Sequence, residues 1–473
     1  MKIKVEKIAK IDEANVEVKD LTVFVGKNST NKSYMAHTIY ILNKILSKFD
    51  NDSYRFNNYS SKIFNEYLKD SFIKKDIQLL ETLDTFSSVK QQQIQTGKDD
   101  YEFEDIREVI FDFNSIDLNK IILNIENFIF KQIVYLVNQS FNVNRTILKN
   151  IIFYNYKNST SELFKDNKII ITNNDKTTDH IVVLNKIFRK NITDFFKQKI
   201  AEKEFYFPAS RTGFVLAFDE IVSGVLRDRF GGQPTATKLT EPTIDFISGF
   251  SDIKSGKFDD DILHWLINRN FQHSKQNMKK LFEFIENRIV KGKIIEDKKS
   301  QNYTHFYLQT NNKEKLDLHL SSSATVELLP LVIFLKHFSK IDDRLLVIEE
   351  PEAHLHPKAQ IEMARLLVML VNAGAKVLIT THSDYILNEL SNCIKLNQAE
   401  DKFKKEYLQK YKLDKDTIIS ANRVSAYLFK DINNKKTEVQ ELTIDEYGIA
   451  NDNFDDILDE LLERTDEINS MVL

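Results

Sequence analysis

Hydrophobic and polar positions change their spacing several times along the chain, and each change predicts a different element. Near the start, three short segments (KIKVEKI, ANVEV and LTVFV) alternate with a period of two and are separated by polar turns. Alternation of this kind is typical of half-buried strands, so these segments predict a small N-terminal sheet. A polar turn follows, GKNSTNKS, and the apolar spacing after it predicts a helix from about residue 32 to about residue 48.

The pattern then becomes helical over a long stretch. From about residue 49 to residue 200 the chain has helical spacing and almost no glycine, as in FNEYLKDSFIKKDIQLLETLDTF, which predicts a helical insertion. Strand-like spacing returns at EFYFPASRTGF, and residues 218–238 predict a helix followed by a mobile loop. The chain therefore divides into residues 1–48, an insertion or arm at 49–200, and residues 201–473.

Long apolar runs dominate the last third of the chain. RLLVIEEPEAHLHP and KVLITTHSDYIL each place polar residues directly after such a run. Apolar strands that alternate with helices are typical of a buried, largely parallel sheet. Alternating segments within 287–320 and 424–473 predict strand meanders, the second followed by a short acidic helix. The predicted fold class is therefore α/β, with a mixed central sheet, an N-terminal antiparallel sheet and a helical insertion.

Composition restricts the compartment and the partners. The chain has 473 residues, of which 42% are hydrophobic and 29% charged, the balance of a globular protein with two or three structural units. A single cysteine, Cys393, excludes an intramolecular disulfide framework, and without a CxxC pair or an apolar signal segment we expect a cytoplasmic protein. No apolar run reaches the roughly 20 residues of a membrane helix. The net charge of −4 leaves room for a local basic face.

The turn GKNSTNKS is typical of a phosphate-binding loop, G-x-x-x-x-G-K-[ST]. In such a loop, backbone N–H groups converge on the phosphates at a helix N-terminus, the lysine reaches the β and γ groups, and the hydroxyl binds Mg²⁺. Asn31 replaces the second glycine, and asparagine is the non-glycine residue that best tolerates the left-handed region. The residues predicted to bind the nucleotide are Gly26, Lys27, Asn28, Ser29, Thr30, Asn31, Lys32, Ser33 and Tyr34.

Two carboxylates end the apolar run LLVIEE, where α/β proteins bind their ligands. One carboxylate can hold the Mg²⁺ shell while its neighbour polarises the attacking water. We assign Glu349 to Mg²⁺ together with Ser33, although aspartate is more usual there, and Glu350 to the water. His382 follows the next apolar run and is expected to hydrogen-bond the γ-phosphate.

Two other sets of polar residues, a histidine pair and an arginine, have competing interpretations. His354 and His356 could form a metal pair, but no cysteine lies nearby and the acidic residues are otherwise assigned, so a zinc site is disfavoured. Arg211 could face the nucleotide or a partner, or it could cap a strand end through surface pairing.

Together these segments resemble the ATP-binding-cassette (ABC) superfamily of ATPases, in its OLD-type branch. The resemblance is carried by GKNSTNKS as Walker A, LSSSATVELLPL as the signature, LLVIEEPEAHLHP as Walker B with the D-loop, and LITTHSD as the H-loop. YFPASR and VSAYLFKD…IDEYGI also match, so both ends of the chain are covered while the insertion stays unassigned. The resemblance implies an ABC-type ATPase head that uses ATP and Mg²⁺, with Glu350 and His382 as its catalytic residues.

The resemblance also implies a head-to-head dimer, within a larger homo-oligomer in some members, in which the signature of one copy closes over the nucleotide of the other. The serines expected at the γ-phosphate are Ser321, Ser322 and Ser323, and the alignment does not choose among them. Ala324 stands where the signature has glycine, and we find no glutamine loop. The departures at Asn31 and Ala324 predict slow hydrolysis.

Only about ninety residues follow His382, fewer than a Toprim nuclease domain of about a hundred residues or more needs. The resemblance is thus to the ATPase subunits of two-component anti-phage defence systems of the PARIS or Septu type. We expect a sensor and scaffold ATPase that controls a separately encoded effector, a nuclease, with DNA or a phage protein as trigger and no membrane partner.

The alternative is a DNA-repair or chromosome-structural ATPase of the Rad50 or RecF type that clamps DNA. Against it, the sequence has no zinc-hook CxxC, no sustained heptads and no basic excess. ATP binding without hydrolysis is a further alternative. Energising a transporter is disfavoured, because no segment offers a coupling helix for a membrane partner.

Overall fold

The structure is a computed structural model that divides the chain into two compact units. One comprises Met1–Lys44, Ile133–Phe153 and Ala201–Leu473, and the other comprises Ile45–Gln132 and Tyr154–Ile200. The residues that the structure describes are 2–47, 108–112, 150–153, 168–172, 201, 203–217, 240–254, 271–300, 303–337, 341–432, 435–450 and 463–466.

Strands dominate the two ends of the chain. The described strands are β1 (Lys2–Ile8), β2 (Ile11–Glu17), β3 (Leu21–Val25), β4 (Glu108–Asp112), β5 (Asn150–Phe153), β6 (Lys168–Thr172), β7 (Lys203–Phe207), β8 (Lys293–Ser300), β9 (Tyr303–Gln309), β10 (Lys315–Asp317), β11 (Arg344–Glu349), β12 (Lys376–Thr381), β13 (Val424–Asp431), β14 (Thr437–Glu441), β15 (Ile444–Asp445) and β16 (Gly448–Ile449).

Helices connect these strands. The described α-helices are α1 (Lys32–Ser47), α2 (Arg211–Leu216), α3 (Glu241–Lys254), α4 (Phe271–Phe284), α5 (Ser323–His337), α6 (Pro357–Asn372), α7 (Asp384–Gln398) and α8 (Asp401–Tyr411). Capping residues set the start of two of them. His356 accepts from the backbone N–H of Lys358 ahead of α6, and Ser383 accepts from that of Ile386 ahead of α7.

A nine-stranded mixed sheet forms the centre of the first unit, in the order β5-β1-β2-β14-β13-β3-β12-β11-β7. Strands β13, β3, β12, β11 and β7 run parallel, and β5, β1 and β2 pair antiparallel. The predicted α/β class with a mixed central sheet is therefore confirmed. The antiparallel N-terminal strands are one side of this same sheet, while β3 lies in its middle between β13 and β12.

Both faces of the central strands are covered. In β3, every residue is buried, as expected for a strand of a parallel sheet. Leu21 and Val25 belong to the apolar core that includes residues of α5, α6 and α7. Phe24, whose side chain alternates to the other face, packs against the rings of Tyr427 and Phe429 at centroid distances of 6.0 and 5.0 Å.

The meander predicted within 287–320 is confirmed from β8 to β10, which form a three-stranded antiparallel sheet. Its predicted first residues are wrong, because Ile285–Val290 is a π-helical extension of α4. Ile285 and Ile289 are both buried in the core, and this spacing of four suits a helix rather than a strand. Lys291, with a φ of +56°, ends the extension in the left-handed conformation.

Most of the insertion predicted at 49–200 lies outside the described residues, as do residues 218–238, and the helices predicted there stay a prediction. The described part of 49–200 is extended. Strands β4 and β6 pair antiparallel in the second unit, and β5 pairs with β1 in the first. Of the acidic C-terminal helix, residues 463–466 are described and helical. Among the described residues, no helix has the length and apolar character that crossing a membrane requires.

Candidate functional site

Four parallel strands end at one edge of the central sheet. Val25, the last residue of β3, pairs with Thr381 at the end of β12, and Glu349 pairs with Thr380 of the same strand. On the other side of β11, Phe207 is the last residue of β7 to pair with it. The loops that follow the four strands therefore lie side by side, in the position where open α/β sheets bind their ligands.

The loop after β3 depends on unusual backbone conformations. Gly26 has a φ of +149°, and a Cβ atom there would collide with the carbonyl oxygen of Phe429. Ser29 and Asn31 adopt left-handed φ values of +63° and +66°. The expectation that Asn31 occupies a position of positive φ is confirmed, and asparagine is suited to it. The helix α1 begins immediately afterwards, so its N-terminal N–H groups lie at the end of this loop.

Lys32 is buried and holds the loop closed. Its Nζ donates to the carbonyl oxygens of Gly26 and Lys27, both at 2.7 Å, and the Thr30 hydroxyl donates to Lys27 at 2.8 Å. Burial lowers the pKa of Lys32, whereas the negative charges of Glu350, Glu352 and Glu349 oppose this shift. The lysine therefore interacts electrostatically with the acidic residues at and beyond the end of β11.

The other polar residues of the loop and of the first turn of α1 differ in their exposure. Lys27, Asn28 and Ser29 are exposed at its tip, as is Ser33 in the first turn of α1. Tyr34 is half-buried. The side-chain amide nitrogen of Asn31 is buried and has no acceptor among the described residues. The exposed hydroxyl of Ser33 and the N-terminus of α1 are thus accessible to a ligand.

The two acidic residues at the end of β11, Glu349 within the strand and Glu350 directly after it, have different environments. Glu349 is buried, and its Oε2 accepts from the backbone N–H of Ala209 at 3.2 Å, while its Oε1 has no hydrogen-bond donor in the described part of the chain. Glu350 is about one third exposed and has a left-handed φ of +43°. Its backbone N–H donates to Thr380 at 2.8 Å. This difference in burial suits the predicted roles, in which Glu349 is a metal ligand and Glu350 is a general base in contact with water.

Arg211 fixes the backbone of this acidic pair. It is buried, and its guanidinium donates to the carbonyl oxygens of Glu349 at 2.6 Å and Glu350 at 3.1 Å. Its Nη2 also lies 2.5 Å from Oε1 of Glu327 on α5, whose other carboxylate oxygen accepts from Thr212. Burial raises the pKa of Glu327, and the adjoining guanidinium opposes that rise.

Sequence reasoning missed this arrangement. Arg211 does cap the end of β11, as one of the two interpretations expected, but from a buried position rather than through surface pairing. The sequence did not reveal that the arginine is buried. The reason is that its carboxylate partner, Glu327, lies 116 positions later in the chain. No local pattern indicates that the two meet.

His382 lies beside the acidic residues. Its side chain is 42% exposed, and its Nδ1 lies 3.5 Å from Oε1 of Glu352 and 4.0 Å from Oε1 of Glu350. Glu352 is buried and accepts from the Thr381 hydroxyl and the His382 backbone N–H, both at 2.8 Å. Glu352 thus holds the loop after β12, a role that the PEAH segment did not reveal. His356, considered above for zinc, caps α6 instead.

The signature serines lie at the N-terminus of α5. The Ser321 hydroxyl donates to Asp317 at 3.0 Å, and Ser322 Oγ accepts from the backbone N–H of Thr325 at 3.3 Å. Ser322 and Ser323 are exposed, and Leu320, immediately before them, is 75% exposed. The segment is therefore available for contact with another surface.

The groups at the sheet edge fit a triphosphate with Mg²⁺. The α1 N-terminus and Lys32 provide phosphate-binding donors. The Glu349 carboxylate and the Ser33 hydroxyl are oxygen ligands of the kind that Mg²⁺ prefers, and the buried Glu349 Oε1 lacks a donor among the described residues. The fold and this edge define a nucleotide-binding α/β ATPase domain.

Comparison with known families agrees with this class. A family described as "AAA ATPase domain" matches residues 1–387, well over half of the chain. The protein belongs to this ATPase family. Comparison with curated proteins gives no match.

Similar solved structures include three heads of SMC proteins. They are an SMC head bound to the C-winged helix domain of ScpA (10% identity, TM-score 0.36, covering 94% of this chain and 98% of that one), an SMC head domain from Thermotoga maritima (8%, 0.32, 94% and 98%), and an SMC head domain with an extended coiled coil bound to the C-terminal domain of ScpA from Pyrococcus furiosus (8%, 0.31, 99% and 98%). At these scores the likeness carries no argument, and the assignment rests on the family and the sheet edge.

Proposed function

We propose that the protein is an ATP-hydrolysing molecular switch in which Mg²⁺–ATP joins two copies of the chain. The observation that carries the proposal is the convergence of Lys32, Glu350 and His382 at one edge of the parallel strands. Burial lowers the pKa of Lys32, and the negative charges of Glu350, Glu352 and Glu349 oppose that shift and so favour the charged ammonium, the form that binds phosphate.

Each residue has a distinct role in this proposal. Lys32 and the N–H groups at the start of α1 bind the phosphates, and Ser33 with Glu349 holds Mg²⁺. When bound, Mg²⁺ neutralises charge on the phosphate oxygens. Glu350 accepts the proton of the attacking water, and His382 donates a hydrogen bond to the γ-phosphate. Arg211 holds the backbone of Glu349 and Glu350 in place by donating to their carbonyl oxygens.

The exposure of the signature segment supports a dimer of two ATPase heads. Ser321, Ser322 and Ser323 would approach the γ-phosphate bound by the partner, so that ATP forms part of the interface between two heads. Leu320 is mostly exposed beside them. Burying an apolar side chain is favourable, so burial of Leu320 in the interface would stabilise the dimer. Hydrolysis would then open the dimer, and turnover is expected to be slow.

We further propose that this switch is the sensor and scaffold of a cytoplasmic anti-phage defence system with a separately encoded nuclease as effector. The order of the four motifs along the chain supports this assignment. A trigger, DNA or a phage protein, would act by binding the open and closed states with different affinity.

Glu350→Gln tests the switch. We expect phosphate release to fall at least about a hundredfold, and sedimentation to show a dimer that ATP stabilises, because the trapped nucleotide is not cleaved. Lys32→Ala is the matched control and should form no ATP-dependent dimer. Rapid hydrolysis by Glu350→Gln would exclude Glu350 as the base.

Phage challenge tests the defence role. Cells that carry the gene with its neighbouring genes should resist phage, and the Lys32→Ala variant should lose this resistance. DNA binding that requires ATP and weakens steeply with salt, without phage resistance, would favour the DNA-clamp alternative instead.

A further inference from the structure

Glutamate rather than aspartate ends β11, and its carboxylate extends towards α1. Glu349 is 6% exposed, and its Oε1 lies 3.9 Å from Nε2 of His37. The side chain of glutamate is one methylene longer than that of aspartate. The longer side chain thus brings the carboxylate next to a second element of the fold.

His37 belongs to the same helix as Ser33 and follows it by one turn. Residues four positions apart lie on the same face of a helix. The helix that presents the Ser33 hydroxyl therefore also presents an imidazole to the partner carboxylate. His37 is 6% exposed, so the imidazole and the carboxylate meet in the interior of the protein.

Tyr206 of β7 packs against His37 and lies close to Glu349. Its ring stands edge-on to His37 at a centroid distance of 4.9 Å and to Tyr40 at 5.3 Å. Burial, followed by the charge of Glu349, raises the pKa of Tyr206 well above its ordinary range, although no hydrogen bond of ordinary geometry joins the two groups. The Tyr206 ring packs against His37 from the side of β7.

We propose that His37 is a positioning residue for the Mg²⁺ of the ATPase reaction, acting by orienting the Glu349 carboxylate with the support of Tyr206. The proposal rests on the function proposed above. It explains how a glutamate can serve at this position: the imidazole on α1 and the ring on β7 restrain the longer side chain. The 3.9 Å separation would shorten into a hydrogen bond when substrate binds, as contacts in catalytic sites commonly do.

A packing role alone makes a different prediction. If His37 only fills space between α1 and β7, replacing it alters stability but leaves metal affinity unchanged in the molecules that stay folded. If it orients a metal ligand, the loss appears in metal affinity, because partners of metal ligands are typically worth about 10- to 100-fold in binding.

The experiment measures the affinity of the protein for Mn²⁺, which replaces Mg²⁺ because it is paramagnetic. Mn²⁺ is titrated into full-length protein saturated with a non-hydrolysable ATP analogue, and bound metal is followed by electron paramagnetic resonance. We expect His37→Gln and His37→Phe to weaken Mn²⁺ binding by about tenfold or more, while the affinity for the analogue in EDTA stays within about twofold of wild type. Thermal unfolding identifies any variant that does not fold.

Tyr40→Phe is the matched control. Tyr40 lies on the same helix and against the same Tyr206 ring, but its hydroxyl donates to Asp245 at 2.8 Å. This variant should bind Mn²⁺ like the wild type. In a Glu349→Asp background, the shorter carboxylate no longer reaches α1, so adding His37→Gln should change Mn²⁺ affinity by less than about twofold.

The outcomes separate the two proposals. Wild-type affinity for Mn²⁺ in folded His37 variants would overturn the positioning role and leave the ATPase proposal intact. Full additivity of His37→Gln with Glu349→Asp would also overturn it, since His37 would then act independently of the carboxylate. Failure of the wild-type protein to bind either the analogue or Mn²⁺ would instead refute the proposed function.

Discussion

The sheet edge and the signature segment carry the two halves of the proposed chemistry, but they are held in opposite ways. At the edge, Lys32, Arg211 and Glu349 are buried and bonded to backbone groups. In the signature, Ser322 and Ser323 are exposed at a helix N-terminus. Buried polar groups are costly unless they are paired, whereas exposed groups can change without unfolding the protein. The residues at the edge are thus part of the folded core, whereas Ser322 and Ser323 lie at the surface.

Arg211→Ala should have the largest effect on stability. It removes the donors that hold the Glu349 and Glu350 carbonyls and leaves the Glu327 carboxylate buried without its cation. Breaking a buried pair from one side costs about 3–5 kcal/mol. Urea unfolding measures the loss.

Arg423→Ala is the control for Arg211→Ala. Arg423 also bonds a carboxylate, Asp20 at 2.7 Å, but both side chains are more than one third exposed, so we expect a loss of about 1 kcal/mol or less. Equal losses for the two variants would contradict the distinction between the edge and the surface.

Substitutions of Asn31 should have a smaller effect on stability, and they test the backbone conformation of the loop at the sheet edge. Asn31→Ala and Asn31→Gly both remove the buried amide, but only alanine is strained at a φ of +66°. The alanine variant should therefore be less stable than the glycine variant by about 1 kcal/mol, as measured by the midpoint of urea unfolding. A more stable alanine variant would mean that the loop does not need this backbone conformation.

The signature serines should differ from one another. Ser322 accepts from the Thr325 backbone N–H, so Ser322→Ala should cost about 1 kcal/mol of stability as a lost helix cap. Ser323→Ala should stay within about 0.5 kcal/mol. Phosphate release measured on both variants, and on Ser321→Ala, then identifies the serine that serves the partner's nucleotide. Unchanged hydrolysis in all three would argue against a role in trans.

Leu320→Ser should have the smallest effect on the isolated chain. The side chain is 75% exposed, so stability should change by less than about 0.5 kcal/mol. In the Glu350→Gln background, the same substitution should weaken the ATP-dependent dimer, which sedimentation measures as a shift towards monomer. An undisturbed dimer would remove Leu320 from the proposed interface.

The sequence predicted those elements whose signal is local. Continuous apolar runs indicated β3, β11 and β12, and the polar turn before α1 indicated the loop at its start. Asn31 could be interpreted because its conformational preference belongs to the residue itself.

Long-range partners could not be predicted in this way. The pair of Arg211 with Glu327 and the approach of His37 to Glu349 join residues more than a hundred positions apart. Both contacts depend on how helices pack against one another and against the sheet, which no single segment of the sequence contains. The π-helical Ile285–Val290 was misread because its apolar residues sit next to true strands.

The position of β13 decides where this protein can be cut. Val424–Asp431 lies beyond the family match, which ends at residue 387, yet it pairs along β3 in the middle of the sheet. A shortened clone that stopped at residue 387 would remove β13, one of the two hydrogen-bonding partners of the strand that leads into Gly26. Bare strand edges of this kind recruit other chains, so such a clone would precipitate rather than yield a working minimal domain.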